Sequence, residues 1–107
     1  MKTLTQEQVD RIVQVIQNDC YARYTYSSPE GTCVVGGLAI AAGLPLPPNN
    51  RMGIYSSRNF SATLRIAKNY GLTQDNLCAL QAINDWYTDV KLRRKNLVER
   101  VQSWLSN

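Results

Sequence analysis

One run of the sequence constrains the fold more than any other: residues 31–43 carry no charged side chain and contain four of the six glycines. Thr32 can cap the beginning of a helix here, and Gly43 stands where the left-handed turn after a helix favours glycine. A helix that is apolar on every side is normally buried. This one is too short to span a bilayer, which needs about 20 residues. We therefore expect residues 33–42 to form a central buried helix around which the rest of the chain packs.

Small side chains recur inside this helix at Cys33, Gly37 and Ala41, four residues apart. Each of its two internal glycines costs about 1 kcal/mol relative to alanine. A stripe of small side chains lets a neighbouring helix approach closely, and we expect that packing to offset the cost.

Four further helices are predicted from apolar residues spaced three and four apart and from residues that begin or end helices. The first has the clearest start, because Thr5 and Gln8 match the capping-box pattern. The predicted helices are 6–19, 57–70, a helix capped by Thr73, and a last helix capped by Thr88 or Asp89.

Residues 44–56 interrupt the helical pattern with three prolines, which remove backbone donors and fix φ. We predict a stiff irregular connection in which Leu46, Met52 and Ile54 face inward. Because no repeat or low-complexity segment divides the sequence, we predict a single all-α domain over residues 1–107, with about five helices.

The segment before the central helix is rich in tyrosine and ends in a Pro-Glu-Gly turn signal. One interpretation is a loop whose tyrosines pack over the central helix with their hydroxyls in water. The other is a recognition surface for a protein partner. No sheet is predicted, because one extended segment alone has no strand to pair with. The candidate protein-binding residues are Tyr21, Arg23, Tyr24 and Tyr26.

The residue types present exclude several chemistries. The chain has no histidine, which removes Cys–His and Ser–His catalysis and histidine-ligated metals. Its three cysteines, Cys20, Cys33 and Cys78, lack zinc-site spacing and are expected to be reduced, buried thiols. Cys33 is the one candidate nucleophile, since a helix N-terminus lowers a thiol pKa; we expect it to be structural. No enzyme activity, metal or cofactor is predicted.

The net charge of +4 weakly favours an anionic partner. Most of the basic residues in the last predicted helix are expected to point away from its apolar stripe. They either bind a phosphate backbone or form a solvated face. The candidate nucleic-acid-binding residues are Lys91, Arg93, Arg94, Lys95 and Arg100. The acids are dispersed, so no catalytic carboxylate pair is predicted, and Asp85 is expected to cap a loop.

The pattern C-x-x-G-x-L-x-x-A-x-G from Cys33 to Gly43 is followed about forty residues later by the dipeptide Asn84-Asp85. Together with a closing amphipathic helix, this pattern resembles small phage and bacterial proteins of unknown function. The resemblance covers roughly residues 24–105 and implies a small helical protein, without implying an activity or a site. The chain differs from the usual pattern in having glycine rather than alanine at position 37.

Three functional hypotheses follow. The first is a small non-enzymatic binding protein of phage or mobile-element type that acts on another protein. The second is a nucleic-acid-binding protein that uses the last helix, and the third is a cysteine-dependent enzyme using Cys33. Because no transmembrane segment is predicted and the N-terminus is polar, we expect a cytoplasmic protein with no membrane partner. The sequence leaves the oligomeric state open, including a homo-oligomer.

Overall fold

The computed structural model has five helices, one of which is formed by the apolar run, and it describes residues 3–18, 20–29 and 31–106. The predicted all-α architecture with five helices is confirmed. A two-stranded antiparallel hairpin, which the sequence did not predict, precedes the central helix. The elements are α1 (Gln6–Asn18), β1 (Ser27–Ser28), β2 (Gly31–Thr32), α2 (Val34–Ala41), α3 (Phe60–Asn69), α4 (Gln74–Trp86) and α5 (Val90–Gln102).

The central position of α2 follows from its composition. Helices α1, α3 and α4 all pack against it, and α1 and α4 also pack against α5. Every residue from Cys33 to Ala39 is buried, as expected for a helix with no polar side. Ile40 and Ala41 are exposed, so the predicted burial of 33–42 is wrong for the last turn of the helix. The stripe of small residues is therefore not covered at its Ala41 end.

The beginning of α2 differs from the prediction by one residue. Thr32 lies in β2, and the cap is Cys33, whose Sγ accepts a hydrogen bond from the Gly36 N–H at 3.4 Å. The predicted stop is confirmed, because Gly43 has a φ of +68°. Thr32 pairs with Ser27 in the hairpin, so the helix begins one residue later and Cys33 occupies the cap position.

A loop lies tightly against α2 at Gly36. An ideal Cβ on Gly36 would lie 2.0 Å from the backbone carbonyl oxygen of Tyr26. The sequence predicts that a neighbouring helix packs closely against the small residues of α2. At Gly36 it is instead the backbone leading into the hairpin that leaves no space for a side chain.

The predicted helix starts agree best with the structure where the capping side chain binds the first turn of its own helix. The Thr5–Gln8 capping box is present, Thr73 caps α4, and Asp89 rather than Thr88 caps α5. Helix α3 begins at Phe60, three residues after the predicted start. The preceding Asn59 is fully buried, and its side chain binds the connection instead of capping the helix.

The connection 44–56 is irregular, as predicted. Ile54 is buried and Leu46 is partly buried, but Met52 is half exposed, so its predicted inward position is wrong. Asn59 Nδ2 donates hydrogen bonds to the carbonyls of Asn49, Met52 and Gly53. These bonds hold the backbone around Met52 in place, while its side chain stays outside the core.

Candidate functional site

Two neighbouring loops, residues 20–26 and 87–89, are fastened to the core by buried polar side chains. Asn84, near the end of α4, is fully buried. Its Oδ1 accepts from the Val34 N–H at 2.9 Å, and its Nδ2 donates to the Ala22 carbonyl at 2.9 Å. Asn84 therefore satisfies a backbone donor at the beginning of α2 and holds the first loop at the same time.

Asp85 holds the same loop one residue further along α4. Its Oδ1 accepts from the Tyr24 N–H at 2.8 Å, and Arg23 donates to its backbone carbonyl at 2.6 and 2.9 Å. The prediction that Asp85 caps a loop is confirmed. The Asn84-Asp85 dipeptide is thus explained by two adjacent hydrogen-bond anchors for one loop.

Arg93 joins the two loops, and the predicted exposed position of its side chain is wrong. Only 2% of its surface is exposed. Its guanidinium donates to the carbonyls of Tyr87 at 2.9 Å, of Thr88 at 3.3 Å and of Cys20. Burial lowers the pKa of Arg93 from its usual value. Three carbonyl oxygens stand in for water around the charge, so this residue has a structural position and leaves the candidate nucleic-acid surface.

Exposed aromatic rings lie next to these anchors. Tyr24 is 69% exposed, Trp86 is 79% exposed, and Tyr21 is about half exposed. The Arg94 guanidinium lies 4.8 Å from the centre of the Tyr21 ring, and that of Arg23 lies 5.1 Å from the centre of the Tyr24 ring. We call these five residues the aromatic surface. Tyr21, Arg23 and Tyr24 are among the candidate protein-binding residues predicted from the sequence, whereas Trp86 was not predicted.

Tyr26 does not belong to this surface, although it was predicted to. It is 4% exposed, and its hydroxyl donates to the Met52 carbonyl at 2.9 Å. Burial raises the pKa of Tyr26 to about 12. Its side chain therefore fastens the connection 44–56 to the hairpin and is not available to a partner.

The loop that carries the aromatic surface has unusual backbone angles. Cys20 and Tyr24 have φ values of +77° and +60°, in the left-handed region that side chains other than glycine seldom adopt. Each such residue costs roughly 1–2 kcal/mol. The hydrogen bonds from Arg93 to Cys20 and from Tyr24 to Asp85 hold these conformations in place.

The remaining basic candidates on α5 are not all on one side. Lys91 and Lys95 are exposed four residues apart, with half-buried Arg94 beside them. Arg100 is exposed but lies nine residues beyond Lys91, and at about 100° per residue it faces the opposite side of the helix. The structure therefore places Arg94 beside Tyr21, and helical geometry separates Arg100 from Lys91.

A cleft of about 290 Å³ adjoins the aromatic surface at Tyr24. One side of α4 forms its floor, and the loops 24–26 and 50–54 form its walls. Its lining residues are Tyr24, Thr25, Tyr26, Asn50, Arg51, Met52, Gly53, Ile54, Cys78, Gln81, Ala82 and Asp85.

Cys33 lies outside the cleft lining and is fully buried. Burial raises its pKa to about 11, outweighing the hydrogen bond from Gly36, which acts in the opposite direction. The helix-terminus effect that made Cys33 a candidate nucleophile is therefore smaller than the cost of burying a thiolate. Among the described residues, no group of three Cys, Asp or Glu side chains is placed to hold a metal ion.

We expect Cys33 to resist alkylation in the native protein. With a pKa of about 11, roughly one Cys33 in a thousand is a thiolate at pH 8. Iodoacetamide followed by peptide mass mapping should label the half-buried Cys78 in the cleft before Cys33. Equal labelling rates in the folded protein would revive the nucleophile hypothesis, and urea-denatured protein gives the control in which both thiols react.

No helix in the described ranges has both the length and the apolar composition that crossing a membrane requires. Comparisons of the chain with protein-family models, with curated proteins and with solved structures find no match. The aromatic surface and the adjoining cleft are the features of the described residues that suggest a function.

Proposed function

We propose that this chain is a small, non-enzymatic binding protein of the phage or mobile-element type that its motif resembles. It acts in the cytoplasm by binding another protein through the aromatic surface. The supporting observation is that three exposed rings, Tyr21, Tyr24 and Trp86, lie on or beside loops held by buried polar side chains. Tyrosine, tryptophan and arginine are the residue types that contribute most to protein interfaces.

Single exposed hydrophobic residues are common on protein surfaces and need no explanation. This surface differs because holding its loop requires two residues with positive φ and a buried arginine. A loop that is already ordered also loses less conformational entropy when a partner binds. Both properties support a binding role.

The two arginines define the chemistry of the partner. Arg23 and Arg94 each place a guanidinium beside an aromatic ring, which combines flat apolar area with hydrogen-bond donors. A matching partner surface has apolar side chains next to carboxylates or carbonyl oxygens.

Two substitutions test the proposal without disturbing the core. Tyr24→Asn keeps the backbone N–H that binds Asp85, and asparagine tolerates the left-handed conformation, so the free energy of unfolding should stay equal or rise by up to about 1 kcal/mol. Trp86→Ala should change stability by less than about 0.5 kcal/mol, because the ring is largely exposed. Each variant should weaken partner binding by about 2 kcal/mol or more.

The measurement is capture of partners from a host lysate, followed by titration calorimetry with the purified partner. Phe60→Ala is the matched control, because Phe60 is an exposed aromatic residue on α3, a helix that contains no residue of the aromatic surface. If Phe60→Ala weakens binding while Tyr24→Asn and Trp86→Ala do not, the surface has been assigned to the wrong residues. Size-exclusion chromatography of the same variants shows whether the partner is a second copy of the chain.

A second candidate function is binding of single-stranded nucleic acid. It is favoured by Arg94 lying beside the Tyr21 ring, with the exposed Lys91 and Lys95 on the same helix. Basic side chains with aromatic rings suit a phosphate backbone with stacked bases. Gel shifts with an oligonucleotide at two salt concentrations distinguish it from the first. A shift that is lost when these three residues become glutamine, with Arg93 retained, supports it, and no shift at low salt excludes it.

A further inference from the structure

The cleft beside Tyr24 combines an apolar interior with one carboxylate. Met52, Ile54, Cys78 and Ala82 supply apolar lining, and half-buried Asp85 also lines the space. Because Tyr24 belongs to both the cleft and the aromatic surface, a partner bound to that surface lies next to the opening of the cleft.

The hydrogen bonds of Asp85 leave one of its oxygens unused. The Tyr24 N–H, Gln81 Nε2 and Asn84 Nδ2 donate to Oδ1 at 2.8, 3.0 and 3.1 Å, respectively. No described residue donates to Oδ2. Arg23, the nearest arginine along the loop, binds the backbone carbonyl of Asp85 and not its carboxylate.

Two side-chain oxygens of residues that line the cleft have no hydrogen-bond partner among the described residues. Besides Asp85 Oδ2, the buried Oε1 of Gln81 has no hydrogen-bond partner among the described residues. A ligand that brings a hydrogen-bond donor can pair with Asp85 Oδ2, whereas a ligand that brings only acceptors leaves this oxygen unpaired.

We propose that the cleft receives a lysine side chain of the protein partner. The four methylenes of lysine cover Met52, Cys78 and Ala82, and the ammonium donates to Asp85 Oδ2 beside the Tyr24 ring. Lysine fits better than arginine, because the two-pronged guanidinium contact requires both carboxylate oxygens and Oδ1 is already occupied. The identity of the partner as a protein rests on the proposed function, whereas the pocket itself can be tested without one.

Arg51, at the wall of the cleft, supplies an opposing charge. The guanidinium of Arg51 repels the ammonium group of a bound ligand, so removing the charge of Arg51 should strengthen ammonium binding. Asp85→Asn should weaken ammonium binding, while the side-chain carbonyl of the asparagine can still accept a hydrogen bond from the Tyr24 N–H. The two variants therefore make predictions of opposite sign for the same pocket.

The test is an NMR titration of the full chain with n-butylammonium, which has the same chain length and charge as the lysine side chain. We expect saturable shifts at Cys78, Ala82 and Asp85, about tenfold weaker binding for Asp85→Asn, and tighter binding for Arg51→Gln. n-Butanol and butyrate, of similar size but neutral and anionic, should bind markedly more weakly.

Three results would overturn the proposal: no saturable shifts, binding of n-butanol as strong as that of n-butylammonium, or no change in Asp85→Asn. If Asp85→Asn does not fold, the comparison of n-butylammonium, n-butanol and butyrate on wild type and the titration of Arg51→Gln still test the proposal. Failure of the titration while Tyr24→Asn and Trp86→Ala still abolish partner binding removes the lysine pocket alone. If Tyr24→Asn and Trp86→Ala bind the partner as well as wild type does, the proposed function is wrong, but the proposed lysine pocket is not affected.

Discussion

Gly36→Ala is expected to destabilise the protein strongly. The added methyl carbon would lie 2.0 Å from the carbonyl oxygen of Tyr26, 3.0 Å from its carbonyl carbon and 3.1 Å from Thr32 Cβ. The nearest of these atoms belongs to the backbone, which cannot turn aside as a flexible side chain can. We expect the free energy of unfolding to fall by about 3 kcal/mol or more, a large part of the roughly 5–15 kcal/mol that stabilises a typical domain.

Urea denaturation followed by circular dichroism measures this effect, and Gly53→Ala is the control. A Cβ on Gly53 would meet no atom within 4 Å, so that variant should differ from wild type by less than about 0.5 kcal/mol. Equal stability of the two variants would show that the loop can move away from α2. The same variant also bears on the aromatic surface, because a displacement of the Tyr26 backbone would also move Tyr24, two residues earlier in the loop.

Features that depend on neighbouring residues in the chain were predicted well from the sequence. The capping box of Thr5 and Gln8, the cap at Thr73 and the helix end at Gly43 are all present. Each depends on hydrogen bonds or backbone angles within a few residues, which residue type alone largely determines. The number and class of the helices followed from these signals.

The hairpin was missed because its stability comes from tertiary contacts. Its strands have two residues each, and Gly31–Thr32 stands at the start of an apolar run that looks entirely helical. The close fit of Gly36 under the Tyr26 carbonyl and the Ala22 N–H bonded to the Thr32 carbonyl hold it in place. Neither contact has a signal in a short sequence window.

The candidate site was predicted in part, for a similar reason. Tyr24 and Tyr26 alternate along the sequence and, in an extended strand, would point to the same side. Tyr24 has a φ of +60°, which breaks that alternation and leaves one ring in water and the other in the core. Trp86 could have been suspected from its place after Asn84 and Asp85, at the end of the helical pattern of α4.

The buried position of Arg93 could have been predicted from helical spacing alone. Arg93, Leu97 and Val101 are four residues apart and therefore share a face of α5. Leu97 and Val101 are fully buried, so an arginine in line with them is directed inward as well. The inward direction of Arg93 was missed because Arg93 was grouped with the basic residues next to it in the sequence, and a run of basic residues suggests a solvated face.

Arg93→Met should therefore lower the free energy of unfolding by about 3 kcal/mol or more. Methionine fills much of the space but leaves the carbonyls of Cys20, Tyr87 and Thr88 without the donors that the guanidinium supplies. The bond to Cys20 is buried and the other two are partly buried, and a buried acceptor without a partner costs about 1–3 kcal/mol. Arg93→Lys should be intermediate, since one ammonium cannot reach all three directions of the planar group. Lys95→Met, at an exposed position on the same helix, is the control and should change stability by less than about 0.5 kcal/mol. If urea denaturation gives Arg93→Met and Lys95→Met the same midpoint, Arg93 does not hold the two loops, and the ordered aromatic surface loses its main support.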